Sequence, residues 1–357
     1  MHLLTAITPH GYGHAAQVAP VLNALRRRLP GLRLTVMTSL PQAFLRGRIE
    51  GDFSFIDEAA DFGLVMNSAI DIDLEASAEA YRRMHLDWDG QVERASERLR
   101  GLAPDLVLAD VPYLTLAAAA HAGIPAVALC SLNWADIYRQ YFGGRPEAPT
   151  LLAQMEAAYH SARAFLRPEP AMPMGFLDNG VAVGPIAARA GAQPEDLRAR
   201  LPAGAAASRV ILVAPGGIQT RFPVERWPIG QGIHWLVSAD WQVRHPDVSA
   251  YQNTGLTFTE MVAACDAVLG KCGYGTVTEC VTNGTPLLYV PRPDWPEEAI
   301  LLEWLQAHRA ALAVDPRRLD SGCFADLMEP LASLQVQTCE PAGAQQAAEL
   351  IAGYLEH

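Results

Sequence analysis

The chain has 357 residues, half of them hydrophobic, enough to bury one large core or two. A formal charge of −12 argues against nucleic acid or an anionic membrane as the main partner, and no apolar run nears the ~18 residues that a transmembrane helix needs. Six cysteines without CxxC pairing, and a start lacking a basic n-region or cleavage pattern, predict a cytoplasmic protein with reduced thiols and no signal peptide.

His2–Ile7 reads as a short buried strand, and Thr8-Pro9-His10-Gly11-Tyr12-Gly13-His14 as the glycine turn after it. Ala15–Leu29 places Val18, Val21, Leu22, Leu25 and Leu29 at helical spacing, with Arg26–Arg28 in the last turn, where cations suit the helix dipole. Leu32–Met37 is the next strand, so the chain opens with a βαβ unit and a parallel sheet whose ligand site lies at the strand carboxyl ends. His14 falls on that edge. Either it caps the helix, or it meets a reacting group as general base or hydrogen-bond donor.

Asp52–Asp89 is acidic and reads as a solvated face or loop, without the fixed spacing of a metal site. Leu74–Leu102 is one long helix or two. Asp105–Ala109 is a strand ending in Asp110, and Leu114–Ala122 a helix stopped by Gly123. Ala126–Cys130 is a strand ending in Ser131-Leu132-Asn133-Trp134. Two consecutive strands thus end in polar residues at the edge that holds His14. Trp134, Tyr138 and Tyr141 are either a stacking wall for a sugar or core packing.

Arg167–Gly175 holds the densest proline cluster and reads as a linker. This predicts a first domain at 1–168, a second at 169–335, and a terminal helical segment at 336–357 that can pack back on the first. Beyond the linker come the strand Val210–Ala214, the glycine turn Pro215-Gly216-Gly217-Ile218-Gln219-Thr220, the strand His234–Ser238 and a short helix at Thr259–Ala264. The next stretch, Ala267–Pro296, is the most informative. A short strand (Ala267–Leu269) is followed by Gly270, Gly273 and Gly275, then a helix from Thr276 to about Asn283, then a second strand at Pro286–Val290. Such a turn aims backbone N–H groups and the positive end of a helix dipole at one spot. Thr276 and Thr278 lie in the helix's first turn, and Glu279, one turn in, is placed to meet a ribose. A diphosphate cradle is one reading; a plainly capped strand–helix turn is the other. Lys271 either offsets phosphate charge or extends to solvent from the strand end.

Four segments occur in an order that carries a resemblance: GYGH at 11–14, LADVPYLTLAAAAHAGIPAVALCSLNWADIY at 108–138, APGG at 214–217 and LGKCGYGTVTE at 269–279. Together they resemble the glycosyltransferase-like amino-terminal region of plant L-arabinokinases and, more distantly, GT-B nucleotide-sugar glycosyltransferases of the MurG type. The sugar kinase domain of the arabinokinases has no counterpart here, so arabinose phosphorylation is not implied.

The resemblance implies an α/β, GT-B architecture: two Rossmann-like domains facing across a cleft, the carboxyl-terminal one holding the donor nucleotide and the amino-terminal one the acceptor. Gly273, Tyr274, Gly275 and Thr276 match the loop that holds the donor's phosphates, with Lys271, Gly216 and Gly217 beside it. Glu279 matches the acidic residue on the ribose, and Phe258 is the candidate for the base pocket. Glu297 and Glu298 lie where the family contacts the donor sugar, although MurG-like enzymes tend to have glutamines there. His14, with Asp110, matches the reacting centre; Gly11, Gly13, Asn133 and Trp134 lie on the acceptor side. The implied activity is transfer of a sugar from a UDP-sugar donor to a small-molecule or lipid-linked acceptor, with no metal and no cofactor. An Asp-x-Asp pattern, Asp71-Ile72-Asp73, lies far in sequence from the donor loop. Hydrolysis of a nucleotide sugar and non-catalytic nucleotide-sugar binding are the alternatives. The sugar, the acceptor and the oligomeric state stay open.

Overall fold

The computed structural model describes residues 1–68, 71–205, 208–216 and 220–356. Its internal contacts divide the chain into two compact units, Met1–Ile186 with Ala342–His357 (unit 1) and Ala187–Pro341 (unit 2).

Unit 1 runs β1 (His2–Ile7), α1 (Gly13–Arg28), β2 (Arg33–Met37), α2 (Gln42–Arg46), β3 (Ser54–Ile56), α3 (Leu74–Leu86) and α4 (Trp88–Leu102). It continues with β4 (Leu106–Asp110), α5 (Tyr113–Ala122), β5 (Ala126–Leu129), α6 (Trp134–Phe142), α7 (Ala148–His160), β6 (Phe165–Pro168) and β7 (Gly180–Val183). The sheet order is β3-β2-β1-β4-β5-β6-β7, with parallel pairing throughout. All six residues of β1 and all five of β4 are buried, as parallel strands covered on both faces require. Residues 74–102 form two helices because the backbone breaks out of helical geometry at Asp87. Asp73 caps the first, its carboxylate accepting from the Ala76 N–H at 2.9 Å. The proline cluster joins two neighbouring strands of one sheet, since β6 and β7 pair in register from Phe165↔Gly180. The division between units therefore falls after Ile186.

Unit 2 runs α8 (Pro194–Arg198), β8 (Arg209–Ala214), β9 (Ile233–Val237), β10 (Val248–Ala250), α9 (Phe258–Ala264), β11 (Ala267–Lys271) and α10 (Tyr274–Asn283). Then come β12 (Leu287–Val290), α11 (Glu298–Ala307), β13 (Ala311–Ala313), α12 (Arg317–Ser321) and α13 (Met328–Ser333). Its sheet is parallel in the order β10-β9-β8-β11-β12-β13. A core of Trp227, Trp235, Phe324, Ile211 and Leu269 fills one side of it. The last helix, α14 (Gly343–Glu356), belongs to unit 1, where it packs on α1 through buried Ala347, Ala348, Ile351 and Ala352.

Each sheet reverses its strand order once, between β1 and β4 in unit 1 and between β8 and β11 in unit 2. Connections leaving two such strands diverge to opposite faces, so a crevice opens at their carboxyl ends. Those two edges carry the polar residues that follow.

Candidate functional site

At the unit 1 edge, α1 begins just past the turn after β1 and turns His14 back over the end of β4. His14 Nδ1 lies 2.8 Å from Asp110 Oδ1, with both residues buried. A carboxylate partner places the proton on Nδ1 and the lone pair on Nε2, the state in which a histidine accepts a proton from a substrate. Burial pushes the Asp110 pKa up, and the His14 charge opposes that shift. The Cys130 thiol, at the end of β5, stands 3.7 Å from the same Nδ1.

Thr8 ties this edge together. Its N–H donates to the Asp110 carbonyl (2.7 Å), its hydroxyl donates to Asp61 Oδ2 (2.7 Å), and it accepts from the Val111 N–H (3.2 Å) and the Trp134 indole (3.5 Å). Asp61 is buried, and desolvation raises its pKa to about 6, against the hydrogen bond from Thr8 and the His14 charge. Because the native state holds the Asp61 proton more tightly than an unfolded carboxyl near 3.9, stability falls as pH rises through that window. The loss is fully present above pH 6 and amounts to roughly 3 kcal/mol. Chemical denaturation of wild type and Asp61→Asn should show their stability difference changing by about this amount between pH 4 and 7 and flat above. A constant difference across that range would contradict the assignment.

The other acceptor-side candidates divide. Asn133 is occupied as the cap of α6, accepting from the Asp136 N–H (2.8 Å) and donating to Asp136 Oδ2 (2.9 Å). Trp134 and Tyr138 are buried, and Trp134 packs against the rings of His10 and His14 at 5.5 and 6.0 Å, so both serve as core packing. Gly11 has φ +81° within the turn, and Gly13 opens α1.

At the unit 2 edge, α10 starts from Gly273 with no side chain capping it, so its first N–H groups, including those of Gly275 and Thr276, are oriented outward as donors. Thr278 instead bonds back to the Tyr274 carbonyl at 3.0 Å, a tie within the helix. Lys271, at the end of β11, is pulled down to a pKa of about 7 by desolvation and then by the neighbouring Arg292, with Glu297 opposing. Gly216 leaves room for it: with φ +114°, a Cβ there would fall 2.7 Å from Lys271 Cε. Gly217 lies outside the described residues. Glu279 is buried one turn into α10, and Phe258 is half-buried as the first residue of α9.

Glu297 and Glu298 are both buried and engaged locally. Glu298 accepts from the Arg292 N–H (2.6 Å) and pairs with its guanidinium (3.6 Å); Glu297 accepts from the Trp295 indole at 3.4 Å. The Arg292 guanidinium also donates to the Cys272 carbonyl at 2.7 Å, in the turn that leads into α10.

Sequence reasoning missed Thr8, Asp61, Cys130 and Arg292. Asp61 was hidden in an acidic stretch that reads as solvated, where the structure places the short strand β3 just before it. Among the described residues, His14, Asp110 and Cys130 are the one group with metal-ligand chemistry, their ligand atoms lying within 4.8 Å of one another. A metal there would have to displace the His14–Asp110 hydrogen bond.

No family model matches the chain. Over 341 residues it is 26% identical to L-arabinokinase of Arabidopsis thaliana, covering 94% of this chain and 32% of that protein. The chain thus spans about a third of that relative's length. Among solved structures, the calicheamicin glycosyltransferase CalG4 superposes with a TM-score of 0.64 at 19% identity, covering 100% of this chain and 98% of that one. Arabidopsis thaliana UGT89C1, complexed with UDP, superposes with a TM-score of 0.56 at 16% identity, covering 99% and 90%. The chain therefore has the GT-B fold of glycosyltransferases, and it is similar along nearly its whole length to part of a plant L-arabinokinase.

Proposed function

We propose that the protein transfers a sugar from a nucleoside-diphosphate sugar, a UDP-sugar, to a hydroxyl acceptor. The observation that carries this reading is the amino-terminus of α10, begun at Gly273 without a capping side chain from that residue, beside the half-buried Lys271. Without an anion, Lys271 is desolvated next to Arg292, which destabilises its charge. A diphosphate would offset both cations while the α10 N–H groups donate to its oxygens. UDP in the GT-B neighbour UGT89C1 supports the nucleotide class.

In the reaction, the acceptor oxygen attacks the anomeric carbon and its proton passes to His14 Nε2, while Asp110 steadies the imidazolium that forms. The bond from the anomeric carbon to the diphosphate breaks, and its electron pair leaves on the phosphate oxygen. Donors fixed before the reaction stabilise that charge without reorganising. Glu279 holds the ribose hydroxyls. Glu297 and Glu298 contribute to the donor-sugar pocket, and Phe258 to the base pocket.

The test is a thermal-shift titration with UDP, a UDP-sugar and NAD. UDP and its sugar should raise Tm by mass action, since they bind only the folded state. Glu279→Ala should weaken UDP binding by about 1–3 kcal/mol, the scale of a lost charge-assisted hydrogen bond. Stabilisation by NAD alone would overturn the proposal. Turnover should also survive excess EDTA, because Lys271 and the helix terminus supply the positive charge; restoration only by Mg²⁺ or Mn²⁺ would remove that role from the loop. Sugar found on an acceptor, rather than free in solution, separates transfer from hydrolysis.

A further inference from the structure

A cavity of about 900 Å³ lies within unit 1, behind the loop that follows β3 and against α3, α4 and α5. It lies apart from the dyad: neither His14 nor Asp110 lines it, although Asp61 does. Its volume suits a whole small molecule. Met37, Met84, Leu99, Leu114 and Ala118 make the walls apolar.

Asp61 and Thr115 also line the cavity, but both are buried and their side-chain oxygens are turned away from it.

Charge supplies the second constraint. In a chain of net charge −12, this cavity is bordered by three arginines, Arg83, Arg94 and Arg98, against two acids, Glu58 and Asp61. Arg94 and Arg98 are four residues apart on α4 and share one of its faces. Arg98 pairs with Glu58 at 2.6 Å and Arg94 with Asp87 at 3.0 Å; Arg83 has no ion pair among the described residues. These pairs are solvent-exposed and weak, so an incoming acid exchanges for them at little cost. The guanidinium fork suits a carboxylate or sulfonate.

We propose that this cavity binds an amphipathic acid: a small molecule with an apolar body held by the walls and its acidic group at the arginines. This site does not depend on the chain transferring a sugar.

Two fluorescent probes of one ring system test it. Anilinonaphthalene sulfonate carries an N–H, an apolar body and an acid; phenylnaphthylamine carries the N–H and the body alone. Titrated into the full native chain, the sulfonate should bind saturably at one site and about tenfold or more tighter than the neutral probe. Arg83→Gln with Arg94→Gln, both at exposed positions, should weaken the sulfonate by a similar factor and leave the neutral probe unchanged. Ala95→Phe, or Ala80→Leu if the larger change disturbs folding by circular dichroism, should abolish binding of both. Equal affinities insensitive to the arginines would overturn the acid; binding that survives both filling variants would overturn the site.

Discussion

His14→Ala is expected to lower the rate of UDP release from a UDP-sugar by about 10²–10⁴-fold while hardly changing UDP affinity. The split follows from placement. His14 stands at the carboxyl edge of the unit 1 sheet, bonded to Asp110 at 2.8 Å, whereas the groups proposed to hold the diphosphate, α10 and Lys271, belong to unit 2. Removing the imidazole takes away the proton acceptor without touching an anion contact. Asp110→Asn should give a comparable loss, since an amide presenting its NH₂ to Nδ1 favours the tautomer with the proton on Nε2. Single-turnover kinetics for both variants, with UDP binding measured separately, decides the matter. A His14→Ala rate within about threefold of wild type would leave the residue only a structural role.

Gly270→Ala should cost about 3 kcal/mol of stability, at the upper end for overpacking a buried position. A Cβ on Gly270 would lie 2.3 Å from the carbonyl oxygen of Ala214 and 3.1 Å from its carbon. These two residues face each other in the β8–β11 pairing, so the obstruction is backbone and cannot rotate away. The strands must separate, just where β11 passes into Lys271 and the α10 turn. Gly273→Ala is the control: the nearest atom to its added methyl is Lys271 Cε at 4.0 Å, and its φ of −127° suits any residue. It should cost under about 1 kcal/mol. Denaturant unfolding of the pair gives the contrast, and equal losses would refute the steric argument.

The two edges were legible in the sequence for a reason that precedes side-chain detail. Strands of a parallel sheet end on one side, so the residues that follow His2–Ile7, Asp105–Ala109 and Ala126–Cys130 share an edge wherever their helices pack. His14 and Asp110 could be brought together on that basis. The GT-B architecture followed from four short segments in order. What stayed hidden is contact that no period encodes. Asp61 follows the short edge strand β3 through irregular chain, and its burial depends on Thr8 and Trp134, 53 residues before it and 73 after. The ties of Glu298 to Arg292 arise in a proline-broken loop with no repeat to read. The proline cluster misled because proline punctuates a strand-to-strand connection as readily as a domain linker.

The packing of α14 on α1 has a bearing on how the protein is made. The helix that presents His14 is translated before unit 2, yet the helix that packs on it follows only after all of unit 2 has been translated. Until then α1 lacks one of its native neighbours during synthesis. The nascent unit 1 thus passes through a period when a chaperone or a misplaced segment can occupy the place of α14. Unit 1 closes last although it begins first.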